Sequence, residues 1–409
     1  MTTFQIENQC PQCGAPANLE ETDRLFACPF CRVTSLLLTH DYFRYVLPAR
    51  NPAGKDLVYV PYWRFKGMLL FSLPAGVEYK FIDVSHCATD APAIPVTLGL
   101  RSQALKLKFV SPDMPGRFVR PARSFEETLA AFNRRFGQAL PRPILHCAHL
   151  GESMSLMYSP FYTTDKLYDA VLDRPVAAAA GGGFPDAGLA GGRPDWGVRF
   201  VAALCPACGW DLEGARNTLA MLCRNCRSVW YPAGETLRQV ESACLEEPVD
   251  AGVYFPFWQI TCDLSIIDLK SYADLARIAN LPKIVDSTAG LKEFRFWTPA
   301  FKVRAQVFMR LAESLTLLQA QDRVAPMLPP GPHHPVTLPV AEACESLKVV
   351  LAAFFKPRQG LPELLPAITI RPTHHSLTYL PFIEDQHDFI QPQTRLAINK
   401  NLLSLSGNL

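Results

Sequence analysis

The chain has 409 residues, room for two or three domains, and 40 Lys and Arg against 38 Asp and Glu give a net charge of +2. That balance excludes a strongly basic nucleic-acid binder or an acidic tail protein on charge alone, and 49% hydrophobic residues exclude wholesale disorder. Only 19% of residues are charged, so part of the surface should be apolar, which points to a partner or to self-association.

Residues 1–40 read as a zinc ribbon. The first five residues lack the basic and apolar regions of a signal peptide, and no run of about 18 apolar residues follows anywhere, so a cytoplasmic protein without a membrane span is expected. In that compartment thirteen cysteines are more plausible as metal ligands than as disulfides. Cys10-Pro-Gln-Cys13 and Cys28-Pro-Phe-Cys31 are separated by fourteen residues. A C-x-x-C turn aims two thiolates at one point, and two turns complete a tetrahedron around zinc. Gly14 follows the first turn, where a left-handed backbone is often needed.

Residues 41–175 read as a β-rich α+β domain. Val58-Tyr59-Val60-Pro61-Tyr62-Trp63 opens a strand that runs on through Arg64 to Phe71, and residues 105–110 alternate as a half-buried strand. Phe125, Leu129, Phe132 and Phe136 are spaced for a helix over 124–136, with Ser124 and Glu127 as a capping box. Ser155-Leu156-Met157-Tyr158-Ser159-Pro160-Phe161 is a further strand. His86-Cys87 and His146-Cys147 with His149 are weak metal candidates, better read as core or surface residues. Residues 176–197, rich in Ala and Gly, read as a flexible linker.

Residues 198–234 repeat the ribbon, with Cys205-Pro-Ala-Cys208 and Cys223-Arg-Asn-Cys226 again fourteen residues apart and Gly209 after the first turn. Residues 235–409 repeat the domain. Val253-Tyr254-Phe255-Pro256-Phe257-Trp258 lies 195 residues beyond the Val58 motif, the same displacement as from Cys10 to Cys205. Arg295-Phe296-Trp297-Thr298-Pro299 is matched to Lys108-Phe109-Val110-Ser111-Pro112, and Ser376-Leu377-Thr378-Tyr379-Leu380-Pro381-Phe382 to the strand at Ser155. Helices are expected over 305–321 and 341–355, with an exposed Pro-rich loop over 326–339. The four Tyr-x-Pro-aromatic motifs read as strand starts whose rings fill the core, with an aromatic-lined groove as the competing reading. The fold class is thus α+β: two tandem copies of a four-cysteine zinc ribbon followed by a β-rich α+β domain.

Two zinc ions per chain are expected, with Cys10, Cys13, Cys28 and Cys31 holding one and Cys205, Cys208, Cys223 and Cys226 the other. Four thiolates leave no open coordination position, so the metal is structural. Iron in a rubredoxin-like site and redox C-x-x-C chemistry are the alternatives. His333-His334, His374-His375, Cys244, Cys262 and Cys344 stand apart from these sets, and no nucleotide-binding loop, H-E-x-x-H or G-x-S-x-G motif is present.

A ribbon followed by the Pro61 and Trp63 strand, with its matching second set, resembles bacterial zinc-ribbon proteins labelled primosomal-type or replication-restart zinc proteins, some found beside phage-shock-type membrane-stress proteins. The resemblance covers little more than each ribbon and the next strand, and implies a zinc module. The helicase part in that label has no counterpart here, so no unwinding activity is carried over. The expected function is a non-enzymatic zinc protein that scaffolds an assembly or binds a protein partner. A nucleic-acid-binding module, with Arg32, Arg224 and Arg227 beside the knuckles, is the runner-up, and an enzyme of unrecognised type the third reading.

Overall fold

The computed structural model describes residues 5–91, 93–99, 106–111, 113–124, 126–131, 140–176, 191–192, 198–245, 252–281, 292–319 and 324–406. Each half is built on one long antiparallel strand pair. Val58–Ser72 pairs with His146–Thr163 in the first half, and Gly252–Leu264 pairs with Ile370–Glu384 in the second.

The two pairs share a register. Pro61 faces Tyr158 and Tyr59 faces Pro160, as Pro256 faces Tyr379 and Tyr254 faces Pro381. Both carry an irregularity at the equivalent place, between Leu150 and Ser153 in one and next to Thr261 and Cys262 in the other. A parallel strand flanks each pair, Phe43–Val46 along His146–Thr163 and Ser242–Leu245 along Ile370–Glu384.

The prolines lie inside these strands rather than at their starts. The Pro61 carbonyl accepts from Ala88 N–H and the Pro160 carbonyl from Ala170 N–H, on the sides away from the long partner strand. A strand residue points its nitrogen and its carbonyl the same way, so the missing donor falls where the long ladder does not need it.

The two tryptophans are equivalent. Trp63 Nε1 donates to Arg123 O at 2.9 Å and Trp258 Nε1 to Leu338 O at 3.0 Å. Each acceptor lies just ahead of a helix, the first carrying the Ser124–Glu127 capping box at its start and the second being Val340–Phe354. The first helix is described over 126–131, and residues 125, 132–136, 320 and 321 of the expected helices lie outside the described residues. The second-half helices otherwise run Ala305–Leu318 and Val340–Phe354.

The structure corrects one pairing between the copies. Lys108–Phe109 lies beside Phe43–Val46, whereas Phe296–Pro299 lies beside Gly252–Leu264. The first-half counterpart of Phe296–Pro299 is the end of Val77–Cys87. Trp63 faces His86 there as Trp258 faces Thr298, and Ala300 N–H donates to Pro256 as Ala88 N–H does to Pro61. The Pro-rich loop is also less exposed than expected, with Leu328, Val336 and Leu338 buried. It retraces the first-half segment at Arg117–Val119: His333 bridges Tyr254 in parallel as Phe118 pairs with Tyr59.

The halves share structure. Met68, Leu70, Ala148 and Leu150 of the first half join the buried core of the second, and helix Val340–Phe354 lies along His146–Thr163. The ribbons join as well. Arg199–Ala202 pairs with Thr34–Leu38 of the first ribbon, and Arg24 and Leu25 both donate their N–H groups to Arg216 O. Leu25, Leu36 and Leu38 pack with Leu212, Met221 and Trp230 between the two ribbons. Of the expected linker, Gly191–Gly192 pairs with Arg117–Val119, while residues 177–190 and 193–197 lie outside the described residues. Among the described residues no helix is long and apolar enough to cross a membrane.

Candidate metal centres

Each ribbon brings its four cysteines together through two tight knuckles. Gly14 N–H donates to Cys10 O at 2.8 Å, Arg32 N–H to Cys28 O at 2.9 Å, and Gly209 N–H to Cys205 O at 2.8 Å. The residue four after the first cysteine of every knuckle is left-handed: Gly14 at φ 73°, Arg32 at 62°, Gly209 at 74° and Arg227 at 56°. Glycine takes that backbone without strain, so the glycines after the first knuckles answer to geometry. Arg32 and Arg227 occupy the same turn position.

In each set the four sulfurs lie within 4.8 Å of one another. Cys10 and Cys31 Sγ are 3.8 Å apart and Cys13 and Cys28 Sγ 3.7 Å; the second set gives 3.5 Å for Cys205 and Cys226 and 3.4 Å for Cys208 and Cys223. A tetrahedron with Zn–S bonds of about 2.3 Å has edges of about 3.8 Å. Both donor sets therefore fit one tetrahedral ion each, and a bound ion would relieve four close sulfurs that otherwise repel as thiolates.

Within each set the thiols divide, Cys13 being pushed up to about 11 and Cys223 to about 12, while backbone amides draw others down. The Cys31 N–H, against the opposing effect of burial, pulls the Cys28 thiol down to about 7. At Cys205 burial pushes up, but the Ala207 and Cys208 N–H groups prevail and bring the thiol down to about 6. Thiolate is the binding form, so N–H groups aimed at sulfur favour metal over proton. The second centre has an added support absent from the sequence reading: Trp230 Nε1 donates to Ser228 Oγ at 2.7 Å, and the Ser228 hydroxyl reaches Cys226 Sγ at 2.9 Å. Such outer contacts orient a ligand. The Ser and Trp two residues apart after the last cysteine were the available signal.

The remaining histidines and cysteines do not assemble into a metal group among the described residues. His86 Nδ1 lies 3.0 Å from Cys87 O, and Cys87 Sγ 3.2 Å from Thr89 Oγ1. His149 packs edge-on against Phe65, and His334 stacks on Phe255. His146 lies near Lys348, and burial pushes its imidazole down to about 4. No family model, curated protein or solved structure matches the chain.

Proposed function

We propose that the chain is a non-enzymatic zinc protein whose joined ribbons offer an apolar surface to a protein partner. Zinc is the ion favoured by four thiolates in a closed tetrahedron, and it serves structure because no coordination position stays open. One observation carries the partner reading: large apolar side chains stand in water on and between the ribbons. Phe30 is 67% exposed, Trp210 58% and Leu204 46%, with Val33 and Val201 also exposed. Aromatic groups of this kind are enriched where proteins meet. Free thiol ligands suit a reducing compartment, and a cytoplasmic location belongs to the same proposal.

The nucleic-acid reading draws on the same rings, which could stack bases. Of its three arginines, however, Arg224 is engaged by Pro329 O and Glu213. Elemental analysis should give two zinc ions per chain, and Cys28→Ser or Cys223→Ser should each remove one. Comparing proteins cross-linked to the native chain and to Phe30→Ala/Trp210→Ala, at unchanged zinc content, should show a partner lost from the variant. Sequence-independent, submicromolar binding to single-stranded DNA at roughly 0.15 M salt, abolished by the same variant, would overturn the protein-partner reading.

A further inference from the structure

The two cysteine sets are built on one plan but are not finished alike. Counting from the last cysteine of each set, Val33 stands where the second set has Ser228, and Ser35 where it has Trp230. Ser228 is buried, and its hydroxyl accepts from Trp230 Nε1 at 2.7 Å. From the same oxygen Cys226 Sγ lies 2.9 Å away and Cys205 Sγ 3.8 Å. With one lone pair taken by the indole, the hydroxyl keeps its hydrogen for sulfur. Val33 has no such hydrogen and stands partly in water, 36% exposed. Among the described residues no side-chain N–H or O–H group reaches the sulfurs of Cys10, Cys13, Cys28 and Cys31.

The indole that directs Ser228 is itself held. Trp230 is 8% exposed and packs with Leu25, Leu36 and Leu38 of the first ribbon and with Leu212 and Met221 of its own. Its Nε1 edge therefore cannot swing away from Ser228 without opening the junction between the ribbons. A hydrogen bond to a thiolate offsets part of its charge, so the sulfur keeps its metal when a proton or a chelator competes. A donor already aimed before the ion arrives loses no freedom on binding.

We infer that the two centres are unequal. Ser228, fixed by Trp230, is a positioning residue that makes Cys205, Cys208, Cys223 and Cys226 the firmly held centre. Cys10, Cys13, Cys28 and Cys31 form the centre that gives up its ion first. The chain then has a one-ion state in which the second ribbon is intact and the first is loosened. Phe30 lies inside the Cys28–Cys31 knuckle and Val33 two residues beyond it, both exposed. That state alters the part of the apolar surface carried by the first ribbon and spares the part carried by Trp210. The inference rests on the reading that both sets bind zinc, and it holds whatever the surface binds.

The test is release of zinc from the loaded full chain to an excess of the coloured chelator pyridylazoresorcinol. Two phases of one ion each are expected, with rates at least about tenfold apart, the scale on which outer contacts act on metal affinity. Ser228→Ala should speed the slow phase about tenfold and leave the fast one unchanged. Ser228→Thr, which keeps the hydroxyl, should restore the native slow phase. Because a loosened fold could also speed release, the same variants are loaded with cobalt. Removing a hydrogen bond from sulfur raises the energy of its lone pair, so the thiolate-to-cobalt charge-transfer band should move to longer wavelength in Ser228→Ala and return in Ser228→Thr. Fewer than two zinc ions per loaded chain would overturn the reading on which the inference rests. Two ions that leave in a single phase, a fast phase that responds to Ser228→Ala in place of the slow one, or a cobalt band untouched by that variant would overturn the inference alone.

Discussion

Replacing Arg64 by Met should weaken the protein by about 3 kcal/mol, because it strands a buried carboxylate. Arg64 Nη1 meets Glu21 Oε1 at 2.5 Å with both side chains at most 4% exposed, and its Nε meets Asp83 at 3.2 Å. Removing one partner of a buried pair typically costs about 3–5 kcal/mol. The lower end applies here, since Arg24 and Lys66 also lie within electrostatic reach of Glu21, while Asp83 stays partly open to water. The double variant Arg64→Met/Glu21→Leu removes the stranded charge and should recover at least about 1 kcal/mol of the loss. Urea midpoints of zinc-saturated protein, followed by tryptophan fluorescence at constant slope, read both values. Glu21 sits in the loop between Pro16–Glu20 and Leu25–Ala27, so in metal-loaded protein the single variant should also give up an ion held by Cys10, Cys13, Cys28 and Cys31 to a chelator faster. A single variant as stable as the native chain, or a double variant no better than the single, would refute this account of the junction.

Trp63→Ala and Trp258→Ala should each cost about 3–5 kcal/mol in the same assay, since both rings are buried and both indoles bond a carbonyl ahead of a helix. Gly116→Ala should cost about 2 kcal/mol or more, because φ is +109° and a Cβ would lie 2.7 Å from the Tyr59 ring and 2.9 Å from Leu57 O. The corresponding Gly331→Ala should cost less than about 1 kcal/mol, its Cβ meeting Tyr254 at 3.4 Å, and a reversed order would show the two loops are not equivalent. His146 is pushed down to about 4 by burial and by Lys348, below the unfolded value of about 6.5. Its contribution is full above pH 6.5 and lost as pH falls toward 4, so the native chain should lose about 1–2 kcal/mol more than His146→Gln between pH 6.5 and 4.5, by urea midpoints at each pH.

What was legible in the sequence is what depends on neighbours in the chain. The knuckles declare themselves because Cys10 and Cys13, or Cys205 and Cys208, must share one turn, and the Pro61 and Pro256 motifs mark the same strand in both copies. Strand order is a tertiary property, and there the reading slipped: Lys108-Phe109 and Arg295-Phe296 look alike, yet their strands join different neighbours. Burial of Arg64 and Lys66 was also hidden. Alternation along Val58–Ser72 would send one face to water, but all fifteen residues are buried: Val58, Tyr62, Met68 and Leu70 on one face pack on the first ribbon and into the core of the other half, while Tyr59, Trp63, Phe65 and Leu69 on the opposite face fill two further apolar clusters. The layers that cover this strand come from distant parts of the chain, which no local pattern encodes.

The two halves make different polar contacts at matching positions. Glu127 and Glu342 occupy the same place, three residues after the N-cap of equivalent helices. Glu127 folds back to accept the Ser124 N–H and completes a capping box. In the second copy the N-cap is Pro339, which has no N–H to offer, so Glu342 is released from that duty. It instead accepts the N–H of Gly151 in the strand irregularity of the first half, whose carbonyl takes Lys302. Gly151, at φ +66°, holds the left-handed backbone that turns its amide and carbonyl toward these two groups. A serine-to-proline difference at one helix start thus converts a local cap into a contact between halves. Arg64 follows the same logic: its counterpart Gln259 bonds Thr378 within its own half, whereas Arg64 reaches out to Glu21 of the ribbon. At these two positions the halves differ in what their polar side chains fasten: Glu342 ties the second half to the first, and Arg64 ties the first sheet to its own cysteine-bearing segment.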